Sequence, residues 1–489
     1  MSFPFQKGLF TRRRRVPARA KSRTLVDPKG RRLIGLTKHT RQPIWAPKGH
    51  SLLLSANGGG KSTNGAMVWL FSLLSSDPDE AIAVFDSKDG ELAWQCADMI
   101  AAAGRKVAIL DDMGIFPADN PHLVSLNPFG AITSSYVRDK RDLIFASENA
   151  NYALIPEPER DEKNAYWRQE PRTLIEFATY VLMKRNPRLA IPGGVWALLG
   201  NPAMLRKFAA IEADEGDGML KVLALNVLEM FGHEHFAQHR SAALKSLRIF
   251  ADGTRLHQAG ATAQLTHADL IAQGYVIFIV GPQAYMNRLG AYYALHILAF
   301  NQALYLGAGK LTQILDEFTN APLKPLVEAL TTLRAFGAEL HMIAQSRSEI
   351  ERRLGKLECE TIEENAIVKQ WFGFSSFSEA ERISKAIGEE QVINPGLSSD
   401  DKELRLQFSY QTGKERNLTP SKLMAMPADE QLIHVKGVGF INALKISQQN
   451  IAPYCNLIGD NPLEGGKLPA DPMITFVDPK GANSPEGGR

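Results

Sequence analysis

Apolar positions along this chain follow two rhythms. Short unbroken runs read as buried strands: Leu52–Leu54, Ala81–Phe85, Lys106–Leu110, Tyr275–Val280, Leu311–Leu315, Glu339–Ala344 and Ile367–Phe374. Between them lie stretches with helical spacing, such as Ala66–Leu74 and Glu91–Ala103. Strands alternating with helices predict a parallel sheet covered on both faces, an α/β fold. Leu33–Ile44 reads as an edge strand or hairpin leading into the first buried run. From about 131 to 262 strand signals nearly vanish and helical patterns such as Arg172–Lys184 and Met219–Met230 take over. The simplest organisation is one sheet unit in two parts, 25–130 and 263–455, interrupted by an all-α domain at 131–262. Beyond Gly388, a hairpin-like stretch at Leu404–Tyr410 and short strands at Leu432–Lys436 and Phe440–Ile446 are expected to finish the sheet edge. Residues 1–24 read as an arm. Residues 456–489, rich in Gly, Pro, Asn and Asp, read as a loose, flexible tail.

Composition adds little to this picture, but the placement of charge adds more. Hydrophobic content of 44% with 22% charged residues is ordinary for a globular chain of 489 residues, long enough for two or three domains. Residues 1–50 hold 14 Lys/Arg against one acid, Asp27, while the rest holds 42 basic and 52 acidic residues, a net of −10. Arg12–Arg15, Arg19, Lys21 and Arg23 form a block suited to phosphate backbones or anionic head groups, or a solvated end. The arginine run has no apolar core behind it, so it is no signal peptide. Ala291–Gly309 is the best membrane-spanning candidate, but His296, Asn301 and Gln302 interrupt it, and it reads as a core helix. Cys96, Cys359 and Cys455 are odd in number and far apart, suggesting no disulfide framework and a reducing compartment.

The chemistry concentrates in HSLLLSANGGGKSTNG, from His50 to Gly65. A short strand, three glycines, Lys-Ser and a helix form the context of a P-loop. Glycines let backbone N–H groups curl around a phosphate, and the helix start adds more donors. Asn57, Gly58, Gly59, Gly60, Lys61, Ser62 and Thr63 are thus the expected ATP-binding residues. Lys61 is aimed at the β- and γ-phosphates and Ser62 ligates Mg²⁺. Ser55 stands where the pattern usually has Gly. The alternative is a flexible Gly-rich turn. Asp316 and Glu317, ending the run Leu311–Leu315, suit Mg²⁺ chemistry: Asp316 holds the metal through water, and Glu317 polarises the attacking water. Gln345 ends the next run and is expected near the γ-phosphate as a sensor, against a turn-capping role. Arg334 is either an arginine finger reaching a neighbouring subunit or a solvated surface residue. For Asp86, capping and catalytic roles stay open. His233, His235 and His239 lie close, but they do not make HExxH and read better as helix residues than as metal ligands.

Taken together these motifs resemble the type IV secretion coupling proteins of the TraG/TraD type. The likeness runs from about Leu33 to Tyr454 and rests on SANGGGKST, AVFDSKDGEL, LNPFG at Leu126–Gly130, YWRQEPRTLIEFATYVL and LTPSKLMAMPADEQLIHVKG. Its most specific block is LDEFTNAPLKPLVEALTTLRAFGAELHMIAQSRSEIERRLG, Leu315–Gly355. The resemblance implies a RecA-like P-loop NTPase sheet interrupted by an all-α domain. It also implies a homo-hexamer around a channel, with the isolated protein a monomer or a hexamer. Arg334 matches the family's arginine in the equivalent helix. The implied function is ATP-hydrolysing DNA translocation, with sequence-independent DNA binding. A relaxase or nucleoprotein substrate and channel subunits are the implied partners. Asp89 is an extra residue in the family's D-x-K-G-E pattern, which leaves the roles of Lys88 and Glu91 open. The family usually begins with a membrane anchor, and this sequence shows none. The expectation is a cytoplasmic protein at the periphery of the inner membrane, held by a partner or by its arm. The alternatives are a DNA pump of the FtsK/HerA type and an adaptor that recruits protein substrates and uses ATP only to assemble.

Overall fold

The computed structural model describes residues 23–25, 31–76, 79–157, 164–320, 324–399 and 406–476. The first strands are β1 (Arg23–Leu25), β2 (Leu33–Thr37), β3 (Pro43–Trp45), β4 (Ser51–Leu54), β5 (Ala81–Asp86), β6 (Val107–Leu110) and β7 (Leu123–Val124). Next come β8 (Val276–Val280), β9 (Leu311–Leu315), β10 (Ala338–Ala344), β11 (Val368–Trp371), β12 (Glu389–Ser399) and β13 (Leu406–Arg416). The last are β14 (Glu430–Val435), β15 (Gly439–Leu444), β16 (Ile451–Ala452) and β17 (Ile474–Phe476).

Twelve of these strands make one sheet in the order β3-β2-β15-β14-β11-β4-β10-β9-β5-β8-β6-β7. From β11 to β7 neighbouring strands run parallel. Every residue of β4, β5, β8 and β9 is buried, as a parallel sheet covered on both faces requires. Successive side chains part to opposite faces. Leu52, Leu54, Ala83, Phe85, Ile277 and Leu315 join one core, whereas Leu53, Ile82, Val84, Phe278 and Ile314 join the other. Helix Met67–Ser76, which carries Trp69 and Phe71, and helix Glu91–Ala102 fill the second core. Such side chains each contribute about 1.5–3 kcal/mol when fully buried.

Among the described residues no strand lies between Val124 and Val276; helices such as Ala165–Arg185, Pro202–Glu215 and Gly218–Met230 occupy that span. Helix Met286–Tyr305, which takes up the Ala291–Gly309 stretch as far as Tyr305, packs in the first core. No helix among the described residues is long and apolar enough to cross a membrane.

Three expectations need correction. The strands after Gly388 do not finish the edge. β14 and β15 are inserted between β11 and β2, and the edge strand is β3. The hairpin-like stretch pairs as β12 with β13 in a separate two-stranded ribbon. The tail is not loose through Phe476. Ile458, Ile474 and Phe476 are buried in the second core, although Leu457, Leu463 and Leu468 stay exposed, and β17 pairs in parallel with both β1 and β16. Its polar composition hid these anchors, because pairing satisfies the backbone while only alternate side chains need be apolar. β1 likewise takes Arg23 and Thr24 out of the expected arm; residues 1–22 and 477–489 lie outside the described residues.

Candidate functional site

The P-loop connects β4 to its helix through strained backbone that only glycine takes easily. Gly58 and Gly60 have φ of 75° and 86°, in the left-handed region. Gly59 is needed for space, since a Cβ there would lie 2.1 Å from Ser55 Oγ. Lys61–Ala66 forms a wide π-helical first turn that continues into Met67–Ser76. The free N–H groups and dipole of such a helix start favour an anion. Asn57 is exposed and Lys61 is buried. The Thr63 hydroxyl donates to Asn64 Oδ1 at 2.8 Å.

β9 delivers the two acids to the same place. Lys61 Nζ donates to Glu317 Oε1, and both side chains are buried. Glu317 holds φ 54°, a left-handed conformation that a non-glycine residue rarely adopts. Burial pushes its carboxyl up, and Lys61 pulls it back. Asp316 is fully buried; its Oδ2 accepts from Ser62 Oγ at 3.4 Å and from Lys88 Nζ at 3.1 Å. Asp316 Oδ1 has no hydrogen-bond partner among the described residues. A hydroxyl and a carboxylate, one of whose buried oxygens has spare acceptor capacity, fit the oxygen-rich shell of Mg²⁺, in which waters would complete the coordination.

The segment after β5 closes this corner. Asp86 Oδ2 accepts the N–H groups of Leu92 and Ala93 at 2.8 and 2.9 Å, so Asp86 caps the helix Glu91–Ala102. Burial pushes its carboxyl up to about 8; the two N–H bonds oppose the rise, and Glu91 and Asp316 add to it. Asp89 and Gly90 take successive left-handed conformations, φ 52° and 73°, which absorb the extra residue in the turn. Lys88 therefore still faces the acids, 2.7 Å from Ser62 Oγ and 3.8 Å from Glu91 Oε1. Burial disfavours its charge, but Asp316 and Glu91 outweigh burial and raise its pKa.

Gln345 directly follows β10, which pairs with β4 on one side and β9 on the other. It lines a crevice with Ser55 and Ala56 at the start of the P-loop. Arg334 is not gathered with these residues. It is exposed, in the short turn Arg334–Phe336 that precedes β10, at the opposite end of that strand. His50 ties this end to the P-loop strand: its Nδ1 accepts the Leu340 N–H and its Nε2 donates to Leu330 O, both at 3.0 Å.

Lys445 escaped the sequence reading. It follows β15, and its Nζ reaches Gly59 O at 3.2 Å and Phe372 O at 3.4 Å, beside the P-loop. One lysine after an edge-like strand carries no sequence signal. Of the histidine trio, His235 and His239 lie edge to face at 6.4 Å and both pack on Trp167; His239 is buried and also meets Tyr166, while His235 bonds Gln238. Among the described residues no three His, Cys, Asp or Glu side chains form a metal cluster.

No curated protein sequence matches the chain. Residues 310–428 match the family described as the TraM recognition site of TraD and TraG; that segment contains Asp316, Glu317, Arg334 and Gln345. Among solved structures, the bacterial conjugative coupling protein TrwBdeltaN70, unbound, is similar with a TM-score of 0.59 and 16% identity, over 86% of this chain and 90% of that one. TrwB in complex with ADP and Mg²⁺ gives 0.57 and 16%, over 86% and 95%. TrwB with the non-hydrolysable ATP analogue ADPNP gives 0.56 and 16%, over the same shares. The large parallel-dominated sheet thus shares the fold of these coupling-protein structures, and residues 310–428 are similar to the family described by TraD and TraG.

Proposed function

We propose that this protein is an ATP-hydrolysing DNA translocase and substrate receptor that couples DNA or nucleoprotein to a type IV secretion channel. The observation that carries this reading is the meeting of Lys61, Ser62, Asp316 and Glu317 at the carboxyl ends of β4 and β9. It lies in a chain whose residues 310–428 match a family described by TraM recognition.

In this reading Lys61 leaves Glu317 for the β- and γ-phosphates, cradled by Asn57–Thr63. Ser62 directly, and Asp316 through water, would hold Mg²⁺, which would supply positive charge to offset that of the phosphates. Glu317, relieved of Lys61, orients and polarises the attacking water. Gln345, flanked by the P-loop and acidic strands, reports the γ-phosphate to the rest of the sheet. Arg334 completes the site of a neighbouring subunit in a hexamer. The motor grips phosphates rather than bases, since carried sequence varies while its charge does not. The segment 310–428 receives a TraM-like or relaxase-bearing partner. The basic residues before β1 add an attachment to DNA or to the anionic inner-membrane surface.

DNA-stimulated ATP turnover by the purified assembled protein tests the reading. Stimulation by duplexes of unrelated sequence is expected. Turnover indifferent to DNA would point instead to an adaptor that uses ATP to assemble.

A further inference from the structure

The pocket between Ser62 and Asp316 already contains a cation that belongs to the chain. Lys88 Nζ donates to Ser62 Oγ at 2.7 Å and to Asp316 Oδ2 at 3.1 Å. Ser62 in turn donates to the same carboxylate oxygen at 3.4 Å. The three groups form a closed triangle. A metal ligated by the Ser62 hydroxyl beside Asp316 would sit against the Lys88 ammonium, which lies 2.7 Å from that hydroxyl and 3.1 Å from the carboxylate oxygen, and two cations in that space repel. Lys88 and a bound divalent cation therefore exclude each other.

We propose that Lys88 is a resident counter-cation of the metal pocket, which keeps out a free divalent ion and yields only to one that arrives with nucleotide phosphates. The proposal rests on the reading of Ser62 and Asp316 as metal-holding residues. Charge gives it direction. Lys61 and Lys88 stand against Asp316, Glu317 and Glu91, two cations to three carboxylates, so a free divalent ion meets at most one net negative charge, and without Lys88 it would meet two. Phosphates bring several negative charges and take Lys61 from Glu317, which tips the balance toward the metal. Lys88 also has somewhere to go. Its side chain is 19% exposed, against 0% for Asp316, and Glu91 Oε1 lies 3.8 Å away as a second carboxylate. The turn Asp89–Gly90 that aims Lys88 inward is built from two left-handed residues, so the placement is held by the backbone. This assigns a role to the lysine and glutamate of the DSKDGE segment that neither the P-loop nor the acid pair explains.

Mn²⁺ binding to the full chain, followed by the loss of the free-ion EPR signal, tests this without reading activity. Wild type should bind Mn²⁺ weakly alone and much more tightly with ADP. Lys88→Met removes the charge at similar length, and its Mn²⁺ affinity without nucleotide should rise by more than about tenfold. Adding Asp316→Asn to Lys88→Met should abolish that gain. Lys88→Arg keeps the charge and should still exclude Mn²⁺. Lys88→Gln is the second uncharged variant and carries the test if the Met variant does not fold. The proposal is overturned if neither uncharged variant gains affinity, or if the gain survives Asp316→Asn. Tight Mn²⁺ binding to wild type without nucleotide also overturns it. Failure of wild type to bind Mn²⁺ even with ADP would overturn the metal-site reading itself. Normal Mn²⁺·ADP binding with no gain in the variants removes the role of Lys88 alone.

Discussion

Arg334 offers the sharpest test of assembly and chemistry together. The seven residues of β10 separate its turn from Gln345, and at about 3.3 Å per residue the two ends of that strand stand roughly 20 Å apart. Its own P-loop adjoins the far end, through the pairing of Ala344 with Leu54. An arginine side chain cannot span that gap, so any contact with a phosphate must be made to a neighbour. Arg334→Ala alters an exposed side chain and should shift stability by no more than about 0.5 kcal/mol. Its ATPase rate should nevertheless fall by about 10³–10⁵ if the residue is a finger, with ATP binding retained. Lys61→Ala should be equally inactive for the opposite reason. In co-assembled rings mixed at equal amounts, about one interface in four joins an intact P-loop to an intact Arg334. Independent sites then return about a quarter of wild-type turnover, a signal far above either variant alone. The assay is steady-state phosphate release across mixing ratios, with co-assembly verified by differently tagged subunits. Near-normal activity of Arg334→Ala would make it a surface residue. An inactive variant that mixing does not rescue would refute the trans assignment.

Glu317→Gln should retain ATP binding and lose hydrolysis; a variant unable to bind nucleotide would contradict the role given to Glu317. Lys61→Ala strands a buried carboxylate, at a cost of about 3–5 kcal/mol, and adding Glu317→Gln should restore much of it, which thermal melting can score; additive losses would refute the pairing. DNA affinity should be indifferent to sequence and fall steeply with salt, and deletion of residues 1–22 should weaken binding to DNA or anionic vesicles while the core stays folded. Finally, buried His267 and His296 share one hydrogen bond of 3.0 Å. Burial pulls His267 down to about 3 and His296 well below its ordinary 6.5, the latter helped by His267. Both must be neutral when folded, so their stability contribution is full above pH 6.5 and lost on acidification. At pH 5.5 each should cost about 1.4 kcal/mol, and melting of His267→Gln should be less acid-sensitive than wild type.

Much of the site is legible in the sequence because its parts are local. Glycines, Lys61 and Ser62 are consecutive, and each central strand is a continuous apolar run that ends at the residue of interest. The strand order sets β10 between β4 and β9, which brings Gln345 to Ser55 and Ala56 at the start of the P-loop, and Ser62 meets Asp316 across β10. Legibility fails where a contact depends on a turn or on distant pairing. The place of Lys88 hangs on two left-handed residues that absorb Asp89, and that of Asp86 on a helix start that claims its carboxylate. Lys445 comes to Gly59 only because β15 folds back beside β14. Ile474 and Phe476 sit in a polar segment too sparse to register as a strand, yet β1 and β16 supply its partners.

The strand order also bears on how this protein is made. Both neighbours of β4 are β10 and β11, and both neighbours of β5 are β8 and β9. The glycine loop is thus synthesised early, on a strand that has no partner until the ribosome has passed Ala344. Nucleotide binding should appear abruptly in nascent chains rather than grow with length. Until then the apolar runs of β4 and β5 are exposed and need shielding by chaperones. The same interleaving means that two fragments cut between 124 and 276 could rebuild the sheet only by zipping strands alternately. Incomplete chains would be left without the corner where Lys61 meets Glu317, so a broken message could not release a fragment that carries the assembled site.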